Sequence, residues 1–243
     1  MEDVALNPYY IIASAIILLL LFVFSLKFHV FDLKGTIAAL IVGVIVVILG
    51  SIFWLILMLI FAISAQIATK YRIKEKSAKK LQEGVNGERH ASNVIYAALI
   101  GIAIAILNAV KLHNYPYFLI FGVSFASVNA DTFASEIGVF DQNVHFITNL
   151  RKTTPGVNGG ISLLGEIAAV LGALIIGISY AVLKIHSFSI ISIGVITLLG
   201  FMGCQLDSVL GALFENRGKM SKGQVNAYST LAVVIIAFIV YSI

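Results

Sequence analysis

A chain of 243 residues with 60% hydrophobic and only 12% charged residues has a mean hydropathy of +1.01, whereas soluble domains carry about 25% charged residues. That balance excludes an ordinary soluble fold, and the net charge of +4 implies no nucleic-acid partner because membrane topology accounts for where the positive charges lie. A single cysteine, Cys204, excludes an intrachain disulfide framework and a cysteine-based zinc site.

Spanning the hydrocarbon core of a bilayer takes about 20 apolar residues in a helix. The uncharged stretches predict such helices at about 8–26, 35–49, 51–69, 92–110, 116–137, 160–183, 188–213 and 225–243. Strict apolar–polar alternation is absent, which argues against a transmembrane β-barrel. Glu2 and Asp3, rather than a basic run, precede the first helix, so no cleaved signal peptide is expected. The expected fold class is therefore all-α: a polytopic helical membrane protein forming one transmembrane domain over residues 1–243. Only Gly50-Ser51 separates the second and third segments, so 35–69 reads either as a hairpin, for eight helices, or as one long helix, for seven.

Treated as eight helices with the N-terminus outside, the chain places fourteen of its sixteen basic residues in inside loops, leaving Lys111 and Lys184 outside. This is the positive-inside pattern of a multi-pass cell-membrane protein. The sizeable polar stretch is a basic loop at 70–90, expected to be cytoplasmic, solvated and partly helical near anionic lipid, with phosphate contact by one or two of its cations as the sharper reading.

Ionisable groups inside hydrocarbon are costly and point by default to function. Asp131 and Glu136 lie toward the inner end of the fifth helix, Glu166 at the start of the sixth and Asp207 toward the inner end of the seventh. Gly203, Asp207 and Gly211 share one helix face at intervals of four, as do Asp131 and Ser135, and Ser208 follows Asp207 directly. Glu136 lies roughly 140° around a regular helix from Asp131, so it joins the same site only where the helix ends or bends.

The two acidic helices echo one another, with the same offset from Phe125 to Asp131 as from Phe201 to Asp207. Gly84-Val85-Asn86-Gly87 and Gly156-Val157-Asn158-Gly159 precede the fourth and sixth helices. Helices four–five and six–seven therefore read as parallel two-helix repeats. Asn86, Asn158 and Asn226 are expected at or near helix openings, where asparagine caps and free N–H groups receive phosphate. Carboxylates hold Mg²⁺ through one or two oxygens together with substrate phosphates, so these features predict a Mg²⁺–polyphosphate site at the membrane face. Gly165, Ala169, Ala173 and Gly177 form a small-residue stripe expected to pack closely against another helix. The five histidines lack partners at i+3 or i+4, which argues against zinc or haem. Walker A, kinase glycine-loop and Gly-x-Ser-x-Gly sequences are absent.

Four segments carry a family resemblance: Asn129 through Gly138, Thr154 through Gly165, Gly200 through Ala212, and Val225 through Thr230. In order and spacing they resemble the integral-membrane family known as transmembrane protein 19 or domain of unknown function 92, over about residues 33–243. A plant member is a phytyl-phosphate kinase, and the family is distantly similar to dolichol kinases and CTP-using lipid cytidylyltransferases. The resemblance places Asp131, Glu136, Asn158, Asp207 and Asn226 at the family's polar positions. Ala97-Ala98 stands where the family often has Asn-Gly, and Glu166 where a neutral residue is usual.

The first function expected on these grounds is an isoprenyl-phosphate kinase. It transfers a phosphoryl group from a nucleoside triphosphate, CTP or ATP, to a polyprenyl- or phytyl-type monophosphate at the cytoplasmic membrane face. Asp131 and Asp207 hold Mg²⁺ and, with Glu136, form the catalytic set. Asn158, Gly159, Gly160, Asn226, Ser135, Ser208, Arg151, Lys152 and Arg89 bind substrate. Such chemistry needs positioning and charge neutralisation rather than a strong base. A lipid cytidylyltransferase uses much the same parts. The alternative class is a cation- or proton-coupled transporter, which also places carboxylates in repeated helices. Asp131 lies about 10 Å from its helix end and Asp207 is similar, which favours an enzyme open on one side. The partners expected are the lipid substrate and the nucleotide; the oligomeric state is left open, and a homo-oligomer is compatible with the sequence.

Overall fold

The structure, a computed structural model, describes residues 8–82, 88, 90–111 and 113–242. Its α-helices are α1 (Pro8–Phe28), α2 (Leu33–Leu49), α3 (Ile52–Lys70), α4 (Ile73–Ala78), α5 (Ala91–Val110), α6 (Tyr117–Gly138), α7 (Leu163–Leu183), α8 (Ile190–Leu210) and α9 (Lys222–Val240). Seven of them are long and apolar enough to cross a membrane, and α2 is a shorter apolar helix of 17 residues, or about 26 Å of rise. All eight expected segments are helical. Between α2 and α3 the chain breaks at Gly50, whose backbone (φ −118°, ψ −101°) leaves the helix, and Ser51 is fully extended. A side chain at Gly50 would meet the Trp54 ring at 2.7 Å and the Val46 carbonyl at 2.8 Å, so the hairpin requires glycine there.

Helix α6 is the axis of the bundle, buried along most of its length and packed against α3, α5, α7, α8 and α9. Its aromatic residues form the centre of the core: Phe121 lies 4.6 Å from Trp54, and Phe125 lies 5.1 Å from Phe61, ring centroid to ring centroid. Large apolar side chains on the outer faces, such as Leu20, Ile48, Ile67 and Ile191, are exposed, as expected of surfaces that meet lipid. The small-residue stripe of α7 packs as its spacing predicts. Gly165 lies against Gly138, Ala169 and Ala173 are fully buried, and a side chain at Gly177 would press on the Ile193 carbonyl.

Contacts identify the two ends of the bundle. At one end Lys70 donates to the Phe28 carbonyl (2.7 Å), His90 meets Asp32 (2.8 Å) and Lys76 reaches Glu136 (2.6 Å). At the other, Asn108 donates to the Leu49 carbonyl (2.8 Å) and Tyr115 meets Ser242 (2.8 Å).

Three expectations change. The stretch after α6, counted among the inside loops, folds into a three-stranded antiparallel sheet in the order β2–β1–β3, from β1 (Val144–Phe146), β2 (Lys152–Thr153) and β3 (Gly160–Ile161). Strands this short escape pattern recognition because one alternation leaves no period to count. Second, Asn158 and Asn226 are not helix caps. Ser162 caps α7 by accepting from the Gly165 N–H, and Ser221 caps α9 in a reciprocal box with Gln224. Serine reaches the N3 N–H as well as asparagine does, and the box satisfies two free donors at once. Third, α8 does not run on to residue 213. It passes at Leu210 into a π-turn, Gly211–Glu215, which rotates the following residues relative to a regular helix. The Gly84-Val85-Asn86-Gly87 half of the repeat, and Arg89, lie outside the described residues.

Candidate functional site

Helices α6 and α8 cross with almost no side chain between them. A Cβ on Gly203 would lie 2.1 Å from the Ser127 hydroxyl, and one on Gly200 would lie 2.7 Å from the Ala126 Cβ. One turn beyond this contact, Ser127 leads to Asp131 and Gly203 to Asp207, so the crossing brings the two carboxylates to similar depth, close enough to interact electrostatically.

Both line a cavity of about 430 Å³ at the end of the bundle where α6 and α8 finish and α7 and α9 start. Its wall also includes Glu136, Ser135, Ser208 and the turn Asn158-Gly159-Gly160, each expected from the sequence. Gly159 adopts φ +76°, and a side chain there would strike the Ala212 Cβ at 2.4 Å and the Ser208 carbonyl at 2.7 Å. The turn therefore lies directly on α8 and its π-turn, held by Asn216 donating to the Asn158 carbonyl (2.9 Å). Beyond the sheet, Asp141 ties the same loop to α7 by accepting from the Asn143 N–H (2.9 Å) and the Leu164 N–H (3.4 Å). The Asn143 N–H holds the Asp141 carboxyl below its ordinary range.

Asp207 is set by α9. Ser229, buried, donates to its Oδ2 at 3.0 Å, and the Asn226 amide, oriented to satisfy its neighbours, donates to the same oxygen at 2.8 Å and to the Lys222 carbonyl at 3.2 Å. Both bonds fall on one oxygen, so the other keeps its lone pairs for a cation. Asn226 thus acts through Asp207, and it lines a second, smaller cavity of about 40 Å³ that shares Asp131, Ser135, Glu136 and Lys222 with the first.

Glu136 reaches the cavity because α6 ends two residues later, at Gly138. Its Oε2 pairs with Lys76, which is 1% exposed and also donates to the carbonyls of Thr69 (2.7 Å) and Ala68 (3.1 Å). The three ammonium protons are thereby all used, and the cation sits at the C-terminal end of α3, where the helix dipole is negative. Glu166 accepts from Gln205 at 2.7 Å and also lines the cavity.

The cations in the wall are Lys80 and Lys222. Arg151 and Lys152 are exposed on the sheet and are not among the lining residues. Sequence reasoning passed over Glu215 and Lys222. Glu215 continues the Gly203–Asp207–Gly211 series at the same interval and hydrogen-bonds Asn158, while Ser221-x-x-Gln224 is a capping-box signature that places Lys222 in a first helical turn. Lys76 carried no such signal, since its burial depends on how α4 folds back.

Among the described residues no group of three or more His, Cys, Asp or Glu is placed to hold a metal ion. Asp131 and Asp207 bring two carboxylates to one polar cavity, and Mg²⁺ is held by one or two carboxylates while water and phosphate oxygens complete its shell.

The model of the integral membrane protein family DUF92 matches residues 16–237. The chain belongs to this family. Among relatives, an uncharacterized membrane protein of Methanocaldococcus jannaschii is 32% identical over 230 residues, covering 94% of this chain and 93% of that one. One of Synechocystis sp. is 30% identical over 184 residues, covering 70% and 69%. Protein PGR of Arabidopsis thaliana is 25% identical over 236 residues, covering 87% and 82%. No solved structure matches the chain significantly. Membership in DUF92 and the helical architecture agree in making this a multi-pass integral membrane protein.

Proposed function

We propose that the protein is a membrane phosphotransferase that converts an isoprenyl monophosphate to the diphosphate, using CTP or ATP as donor, with the cavity facing the cytoplasm and the N-terminus outside. The observation that carries this reading is the convergence of Asp131 and Asp207 with the Asn158-Gly159-Gly160 turn in one polar cavity at one end of the bundle. A volume of about 430 Å³ falls within the range of small-ligand pockets.

In this reading Asp131 and Asp207 hold Mg²⁺, which neutralises phosphate charge when bound. Ser229 and Asn226 orient Asp207, and Lys222 and Lys80 supply the positive charge once expected of Arg151 and Lys152. The backbone of the Asn158 turn meets the nucleotide phosphates. Glu136 serves as the anchor that fixes α4, through Lys76, beside the opening. An oxygen of the lipid monophosphate attacks the terminal phosphorus of the nucleotide, the bond from that phosphorus to its bridging oxygen breaks, and the nucleoside diphosphate leaves. The attacking oxygen is already ionised, so the site has no need of a general base. The residues' task is to place two anions in line and screen their repulsion.

The test uses purified protein in detergent with Mg²⁺ and geranylgeranyl monophosphate, CTP and ATP being offered separately, with products read by mass spectrometry. A lipid diphosphate formed by the wild type and not by Asp131→Asn supports the kinase and names its donor. A CDP-linked lipid moves the protein to the cytidylyltransferases. No product from several prenyl phosphates, together with cation- or proton-coupled flux in liposomes, replaces the enzyme with a carrier.

A further inference from the structure

Away from the polar cavity, the described part of the bundle holds an apolar groove of about 650 Å³ between α1 and α3, lined by residues such as Leu20, Phe24, Ile63 and Ile67. Helix α1 packs lightly, with Ser14 and Ser25 its buried residues, so the groove lies open on the lipid side. Lys27 and Lys70 line it at the end of the bundle that also carries the polar cavity, and Lys70 is fixed there by the Phe28 carbonyl.

The groove borders a second apolar space. It shares Leu21, Phe31, Leu59, Ala62 and Gln66 with an apolar pocket of about 50 Å³ that lies among α2, α3 and α5 and reaches Phe125 of α6. That pocket in turn shares Asn93 and Ala97 with the small cavity holding Asp131 and Asn226. From the lipid side inward, the sequence of spaces is wide and apolar, narrow and apolar, narrow and polar, and then the acidic cavity. This is the shape and polarity of a single-chain amphiphile whose head carries the charge.

We propose that this series of spaces is the tail-binding gallery for the isoprenyl monophosphate, the phosphate lying by Asp131 and Lys222 and the hydrocarbon passing Ala97 and Ala62 into the groove between α1 and α3. The inference rests on the phosphotransferase reading for the identity of the headgroup. Small residues at the two narrow points fit that use. Ala97 stands between the polar and apolar parts, and Ala62 lies between the inner pocket and the groove. The basic residues at the groove's end, Lys27 and Lys70, favour an anionic amphiphile as the molecule that enters from the bilayer.

Two measurements test it. A geranylgeranyl monophosphate analogue with a diazirine at the tail is photolysed on the wild-type protein in liposomes, and the labelled peptides are mapped. Label at Leu21, Phe31, Leu59 or Ala62, displaced by unlabelled geranylgeranyl monophosphate but not by phosphatidylglycerol, is the expected result. Label confined to the outer faces of α7 and α8, or displaced equally by phosphatidylglycerol, overturns the proposal. This readout needs no turnover, so a protein that binds the lipid in the gallery yet transfers no phosphate refutes the kinase and leaves the gallery standing. Turnover with label elsewhere does the reverse. The second measurement is Ala62→Trp, which fills the junction. KM for the C20 monophosphate should rise about tenfold or more, the effect of losing roughly two buried methylenes, while KM for a C5 monophosphate stays unchanged. An equal change in both, or none in either, counts against the gallery.

Discussion

Replacing Lys76 with Met tests the mouth of the site most directly, because that lysine is buried without being apolar. Its side chain is 1% exposed, and its ammonium makes three hydrogen bonds, to Glu136 at 2.6 Å, Thr69 at 2.7 Å and Ala68 at 3.1 Å. Methionine fills the volume but removes the charge, leaving Glu136, whose side chain is 6% exposed, without its cation and taking one donor each from the Thr69 and Ala68 carbonyls. Breaking a buried ion pair from one side costs about 3–5 kcal/mol. Glu136→Gln is milder, about 1–3 kcal/mol, since the lysine keeps both carbonyls and the amide oxygen still accepts. The double variant removes both charges, so it should be more stable than the sum of the single losses predicts, with a coupling of about 1–3 kcal/mol. Equilibrium unfolding in mixed micelles, followed through the fluorescence of Trp54 in the opposite half of the core, measures all four corners of the cycle. A Lys76→Met protein within about 0.5 kcal/mol of wild type, or strictly additive effects, would refute a buried pair that ties α4 to α6.

Asp207→Asn should abolish phosphotransfer while leaving helicity and the elution volume in detergent unchanged; an active, folded variant would remove the two-carboxylate metal site. Ser229→Ala should slow turnover about tenfold by removing one bond to the Asp207 carboxylate, seen as a fall in kcat with little change in nucleotide KM. Gly159→Ala, at φ +76° and 2.4 Å from the Ala212 Cβ, should cost about 2–3 kcal/mol, measured as a lower Tm. The Asp32 carboxyl, held below its ordinary value of 3.8 chiefly by the hydrogen bond from His90, stabilises the fold above that pH and loses its contribution as pH falls further. The site is exposed, so the effect is small. The melting difference between wild type and Asp32→Asn should shrink toward zero below pH 3.8, and a difference that persists there would exclude the charge as its cause.

Much of the molecule follows from local arithmetic. Apolar runs mark the seven helices of membrane length and the shorter α2, and the small-residue interval in α7 marks a close crossing. The intervals Gly203–Asp207 and Ser127–Asp131 place each carboxylate one turn past a small residue, which is where the crossing of α6 and α8 puts them. Periodicity reports which residues share a face, and that is enough when two faces meet with nothing between them.

What needed the tertiary structure is whatever depends on chain reversal or on a partner distant in sequence. Lys76 looks like any other cation of a basic loop until α4 folds back beneath α3 and α6. Arg151 and Lys152, equally basic, turn outward on a sheet too short to be recognised, while Lys222 is brought into the wall by a serine cap that competes successfully with Asn226. Composition states how many charges a chain must keep out of hydrocarbon. Which of them share a cavity is decided by the turns, because a bond between residues 60 positions apart, as from Lys76 to Glu136, leaves no mark on either segment alone.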